Sequence, residues 1–159
     1  MPQTGRLLGI DFGTVRVGIA VCDENQSIAS PVEVYQRRNE RLDTEYFIKL
    51  VKETGAVGIV VGLPIHMSGD ESEKSIEARQ YGDWLQAQTG LPVTWIDERY
   101  STALARELLN ASNLSGKQKK ARLDKIAAQA ILTSYLESSR NRGQADLPGS
   151  SDEPQSIDD

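Results

Sequence analysis

One cysteine, Cys22, and one histidine, His66, are all that this chain holds of either residue. A lone cysteine rules out an internal disulfide framework, and at the end of an apolar run it reads as a small buried hydrophobe. So few sulfur and imidazole groups leave oxygen as the only metal-ligand chemistry present in quantity. No apolar run approaches the roughly 20 residues needed to span a bilayer. The opening MPQTGR lacks the pattern of a secretory signal. Together these absences lead to the expectation of a cytoplasmic protein with no membrane partner.

Positive charge is also in short supply, at a net charge of −5. The deficit is unevenly placed. From Ser138 to Asp159 there are two arginines against five acids, whereas GKQKKARLDK (Gly116–Lys125) carries five basic residues against one acid. A local basic surface is therefore compatible with an acidic total. The hydrophobic fraction of 38% and charged fraction of 26% over 159 residues suit one globular domain with a real core. There is no internal repeat. The expected division is a folded domain over 1–139 and a disordered acidic tail over 140–159, where Gly, Pro, Ser and acids dominate without periodicity.

What is present is organised around Arg6–Val21, RLLGIDFGTVRVGIAV. Leu7, Leu8 and Ile10 lead in, and Val15, Val17, Ile19 and Val21 alternate on the way out, which predicts two strands joined by a tight turn. Asp11 lies inside the first apolar run. An ionised carboxylate there needs donors, a cation or an opening to solvent; the plainer alternative is an Asx turn in D-F-G-T.

A third strand is expected from Ser27 to Tyr35, with Ile28, Val32 and Val34 as its apolar members and Pro31 marking an edge. A helix over Glu40–Thr54 follows, capped by Asn39 and stopped by Gly55. The near-continuous apolar run Ala56–Leu63 predicts a central strand covered on both faces. Next comes a Gly-, Ser- and acid-rich loop containing His66, in which a solvated loop histidine is the plain reading. The remaining elements are a helix over Ser72–Thr89 burying Ile76, Tyr81, Trp84 and Leu85, a strand in LPVTWID, and helices over Thr102–Ala111 and Gln118–Ser139. This order predicts an α/β fold with a mixed five-stranded sheet flanked by helices on both faces.

Three acidic positions stand out: Asp11 in the first strand, Asp97-Glu98 at the end of the fifth, and Asp124 on the last helix, bordering its apolar stripe. Hard oxygen ligands brought from separate rigid elements suit Mg²⁺ or Mn²⁺. Two such ions can activate a water and stabilise the leaving oxygen of a phosphodiester. Each position also has an ordinary reading: a turn or cap at Asp97, a surface pair of Glu98 with Arg99 or Arg106, a helix ladder of Asp124 with Lys120.

In sequence, Gly9-Ile10-Asp11-Phe12-Gly13-Thr14 with Arg16, Gly18 and Ala20, then Gly62-Leu63-Pro64 with Gly69, then Asp97-Glu98-Arg99 with Ser101-Thr102, then Asp124 with Ala127-Ala128, resemble the motifs of the YqgF/RuvX family. The resemblance spans about 6–136, with every block in order. It implies an RNase H-like fold close to the RuvC-type resolvases and a metal-dependent hydrolase cutting phosphodiester bonds. The substrate implied is either the 5′ end of the 16S rRNA precursor, in ribosome biogenesis, or a Holliday junction. Asp11, Glu98 and Asp124 carry over as catalytic and metal-holding residues for Mg²⁺ or Mn²⁺, with two ions expected and Asp97 a lesser candidate.

Arg16, Arg99 and Thr102, with the cluster Lys117, Lys119, Lys120 and Arg122, are candidates for contacting a nucleic-acid backbone. A solvated charged face is the alternative for that cluster, and an ion pair with Asp11 or Glu98 the alternative for Arg16. The expected partners are structured RNA or branched DNA, with ribosome-assembly factors beside them and a monomer preferred to a dimer. Two other functions compete. G-I-D-F-G-T also resembles the phosphate loop of the actin, Hsp70 and sugar-kinase superfamily, but this chain is too short for the two domains those proteins need. A noncatalytic nucleic-acid-binding module of the same fold would gain nothing from buried negative charge beside phosphates.

Overall fold

A computed structural model of the chain describes residues 1–64, 73–98, 105–107, 110 and 115–146, without the side chains at 117, 119–121, 124 and 142–146. Its strands are β1 (Leu7–Asp11), β2 (Arg16–Cys22), β3 (Ala29–Gln36), β4 (Gly58–Leu63) and β5 (Val93–Asp97). Its helices are α1 (Glu40–Thr54), α2 (Glu73–Thr89) and α3 (Gly116–Asp146). Of the helix expected over Thr102–Ala111, residues 105–107 and 110 are helical and the rest lie outside the described residues.

The sheet has the order β3-β2-β1-β4-β5. The three N-terminal strands form an antiparallel meander, and β4 and β5 add to β1 in parallel. β3 is the edge strand that Pro31 foretells, and the β2–β3 register is irregular between Ile19 and Ala20, beside the Pro31 position. β4 lies in the middle of the parallel half, and all six of its residues are buried. That burial is why its sequence shows no alternation.

The side-chain alternation of the strands divides the core in two. Leu8, Ile10, Val17, Ile19, Ile59 and Val61 face α1 and α2, packing with Phe47, Leu50, Tyr81 and Leu85. Leu7, Ala20, Cys22 and Val60 face α3 and meet Ala128, Ile131, Leu132 and Leu136. Cys22 is buried and accepts a hydrogen bond from the Leu7 amide at 3.2 Å. α3 approaches β1 closely at Gly9, where an added β-carbon would lie 2.8 Å from Cβ of Leu132 and 2.9 Å from the Ala128 carbonyl oxygen. The helix also reaches the edge of the sheet: Gln129 Nε2 donates to the Ala29 carbonyl at 3.0 Å, across 100 residues of sequence.

α1 begins and ends where its caps predict. The Asn39 side chain accepts from the Leu42 amide, and Gly55 closes the helix at φ 70°, its amide bonding the Val51 carbonyl. Three expectations shift. Ile76 is 49% exposed, because α2 turns Ser75, Ala78 and Gly82 inward with Tyr81 and Leu85. Leu123, which helical spacing groups with Ile126, Ala127, Ala130 and Ile131, is likewise largely outside the apolar stripe of α3. That helix also runs to Asp146, past Ser139. Residues 140–146 hold no proline to break the helix, and the next, Pro148, comes after it ends. No helix among the described residues is long and apolar enough to cross a membrane.

Candidate active site

Asp11 is the last residue of β1, and β1 fixes the side on which it stands. Leu8 and Ile10 point towards α1 and α2, so Gly9 and Asp11 take the face covered by α3. Glu98 follows β5 directly, its amide donating to the Leu63 carbonyl at 2.9 Å. Its side chain crosses over Gly62 of β4, whose hypothetical β-carbon would sit 2.8 Å from Cγ of Glu98 and 2.5 Å from Cδ1 of Ile131. A side chain at position 62 would therefore stand in the path of the carboxylate. With glycine there, Glu98 reaches Asp11 and the two carboxyl groups share a hydrogen bond.

Burial, then the Asp11 charge and that hydrogen bond, then the charge of Asp97, hold the Glu98 carboxyl well above the usual carboxylate range. Lys74, near the start of α2, pulls it back in part. Two acids sharing one proton on a partly buried face are the donor set that a hard divalent cation would satisfy in the proton's place. The residues present fit such an ion. Asp97 acts on Glu98 through its charge, but it shares the strand face of Trp95, which packs against α2. No group of three His, Cys, Asp or Glu side chains converges among the described residues.

Position 124 precedes Ala128 by one helical turn, on the ridge continued by Leu132 and Leu136, all three buried against the sheet. The Ala128 carbonyl lies at Gly9, two residues before Asp11. The backbone of α3 thus leads towards the carboxylate pair, while the Asp124 side chain lies outside the described residues.

An open pocket of about 330 Å³ adjoins Asp11, lined also by Gly13, Thr14, Val15, Arg16, Gly18, Val34 and Lys74. Arg16, at the start of β2, is on the same strand face as Asp11, so carboxylate and cations border one space. Lys74 was not legible as a site residue, being one basic residue among the acids of DESEKS. Arg122 is exposed near the start of α3; the Lys117, Lys119 and Lys120 side chains, with His66, Gly69, Arg99, Ser101 and Thr102, lie outside the described residues.

The shared proton has a measurable consequence. Because the folded state holds it more tightly than the unfolded chain does, folding stability falls as pH rises from the ordinary glutamate range upwards. In a chelator, the melting temperature of the wild type is expected to decline over that interval, and Glu98→Gln to flatten the decline. A profile unchanged by Glu98→Gln would mean that the two carboxyls do not share a proton.

Comparison with known proteins identifies the family and the fold. The family model described as RuvX, Holliday junction resolvase, matches residues 5–138. A protein of Rhodopirellula baltica, named as a candidate pre-16S rRNA nuclease, is 45% identical over 143 residues, covering 90% of this chain and 83% of its own. One of Paracoccus denitrificans with the same name is 35% identical, covering 92% of each chain. Among solved structures, RuvC of Thermus thermophilus in complex with a Holliday junction substrate superimposes with a TM-score of 0.57 at 16% identity, over 86% of this chain and 96% of that one. The fowlpox virus resolvase bound to junction DNA gives 0.51 at 12% identity, over 84% and 98%. The fold is that of the RuvC-like, RNase H-like resolvases, and the chain belongs to the RuvX family.

Proposed function

We propose that this protein is a cytoplasmic, divalent-metal-dependent endonuclease that trims the 5′ end of the 16S rRNA precursor. The observation that carries the reading is the Asp11–Glu98 pair, hydrogen-bonded on the α3 face of the sheet and bordered by Arg16 and Lys74. A carboxylate pair that holds an extra proton beside two cations is suited to binding metal and phosphate together, and it serves no packing purpose. The names of the 45% and 35% identical relatives support the rRNA substrate.

Asp11 and Glu98 would hold the metal, with Asp124 as third ligand from α3. The chemistry a pair of Mg²⁺ or Mn²⁺ ions would supply is activation of a water for in-line attack at phosphorus and stabilisation of the leaving oxygen. Arg16 and Lys74 orient the scissile phosphate by charge and hydrogen bonding, which fixes the line of attack. The products expected are a 5′-phosphate and a 3′-hydroxyl. Arg99, Thr102, Lys117, Lys119, Lys120 and Arg122 are the further residues proposed to contact the nucleic-acid backbone.

A second reading, resolution of four-way DNA junctions, is favoured by the family description and by the junction-bound structural neighbours. The deciding experiment is a cleavage assay with Mg²⁺, Mn²⁺ or EDTA on a 16S precursor 5′ fragment and on a synthetic four-way junction. Metal-dependent cutting of the RNA alone is the expected result. Symmetric cutting of the junction would transfer the assignment to a resolvase, and no cutting of either would leave a binding module.

A further inference from the structure

Four residues, Phe12 to Val15, join Asp11 at the end of β1 to Arg16 at the start of β2. The turn is tight, since a β-carbon added at Gly13 would overlap the carbonyl oxygen of Arg16. Its two ends are not held alike. Asp11 belongs to the central strand, which pairs with β2 on one side and β4 on the other. Arg16 opens its strand at the last rung of the β2–β3 ladder, opposite Gln36. Where Arg16 stands therefore depends on what holds the turn before it.

One residue takes the carbonyls of Gly13, Thr14 and Val15, the three residues before Arg16. The backbone amide of Arg37 donates to Val15 at 2.9 Å, and its Nη1 donates to Gly13 and Thr14, each at 3.2 Å. The guanidinium lies over the rings of Phe12 and Tyr81, 5.4 and 5.1 Å from their centroids, and the two rings pack 4.9 Å apart. Those contacts fix the plane from which the donors project. Arg37 does not line the pocket of Asp11 and Arg16. It lines a separate groove of about 630 Å³ that meets this pocket only at Thr14 and Val15, and Glu40, Asp43 and Glu77 line that groove with it. Its charge is spent on the turn and on acidic neighbours, so its influence on the reaction passes through the backbone at 13–15.

We propose that Arg37 is a positioning residue of the nuclease. By fastening three successive carbonyls it fixes where Arg16 stands, and through Arg16 the line along which the scissile phosphate is presented. The inference rests on the nuclease reading of the Asp11 site and on the phosphate-orienting role given there to Arg16.

The test is a double-mutant cycle of Arg37→Met and Arg16→Gln. Methionine keeps an apolar stem against Phe12 and Tyr81 and removes the side-chain donors. Two quantities are read: the single-turnover cutting rate of the 16S precursor 5′ fragment at saturating Mg²⁺, and the affinity of the metal-free proteins for that fragment in EDTA. Arg37→Met alone is expected to lower the rate by up to about 10²-fold, the scale of an ångström-sized misplacement. It should weaken metal-free binding no more than Arg16→Gln does. In the Arg16→Gln background it should change either quantity by less than about twofold, because the residue it positions is already gone.

Equal losses in both backgrounds would mean that Arg37 acts independently of Arg16, and would overturn the proposal. So would an Arg16→Gln variant that costs nothing, or an Arg37→Met variant that lowers the melting temperature while leaving rate and affinity unchanged. If the wild type cuts nothing but the cycle in affinity is still non-additive, the nuclease reading fails and Arg37 still positions Arg16 for a phosphate. Should Arg37→Met not fold, Arg37→Lys takes its place in the cycle with the same outcomes, since lysine keeps the charge but not the planar fork.

Discussion

Replacing Asp11 by Asn is expected to lower cleavage on the order of 10²–10³-fold, the range seen when one preorganised electrostatic group is removed from an active site, without unfolding the protein. Both parts follow from where the side chain stands. Asp11 ends a strand and faces a pocket, so the amide fits the same volume. Its charge is one of the causes that keep the Glu98 carboxyl protonated above its usual range. Removing that charge weakens the hold on the extra proton, so the metal-free variant should stay folded and lose less stability than the wild type as pH rises from the ordinary glutamate range upwards. Single-turnover cleavage with saturating Mg²⁺, beside thermal melts in EDTA, measures both. Full activity in the variant would remove Asp11 from the chemistry, and a collapse in melting temperature would make it a structural aspartate instead.

Gly9→Ala is the second large effect. The new methyl group would meet Cβ of Leu132 and the backbone oxygen of Ala128 at under 3 Å. Neither is the flexible end of a side chain, so α3 itself must move away from β1. Overpacking of this kind costs typically about 1–3 kcal/mol. Because α3 carries position 124, the displacement should also lower activity at temperatures where the variant is still folded. Urea melts give the first quantity and metal titrations of cleavage the second, through a raised requirement for Mg²⁺. An alanine tolerated at wild-type stability would show that the helix does not approach the strand this closely.

Most of the scaffold was legible in the sequence because local signals and tertiary packing agree. Asn39 and Gly55 bracket α1, and the unbroken apolar run before Leu63 marks a strand with both faces covered. The side of α2 that faces inward was harder to see. Small residues make its contact: Gly82 gives way to the Trp95 ring, which would lie 2.8 Å from an added β-carbon, and Ser75 and Ala78 are fully buried. A hydrophobic stripe is sought among large residues, so Ile76 drew the reading to the wrong side.

In the site, Asp11 and Glu98 were readable as acids in or beside apolar strands, and the structure brings them together. Asp97 and Glu98 could not be ranked from sequence, because only the strand's alternation decides which of two neighbours turns to Asp11. Lys74 escaped for another reason: it reaches the pocket beside Asp11 from α2, and among the acids of DESEKS it reads alone as a solvated residue.

The reach of Gln129 back to Ala29 bears on how the molecule is made. Among the described residues, the α1 and α2 layer is complete by the end of β5, whereas the opposite face of the sheet takes its cover from α3. A nascent chain that stops short of residue 116 therefore presents Leu7, Ala20, Cys22 and Val60 to solvent, an apolar surface open to chaperones or to aggregation. Closing it requires a long-range loop, which slows folding relative to helix and hairpin formation. The same late event brings position 124 towards Asp11 and Glu98. Among the described elements α3 is the last to leave the ribosome, and the carboxylate site waits for it.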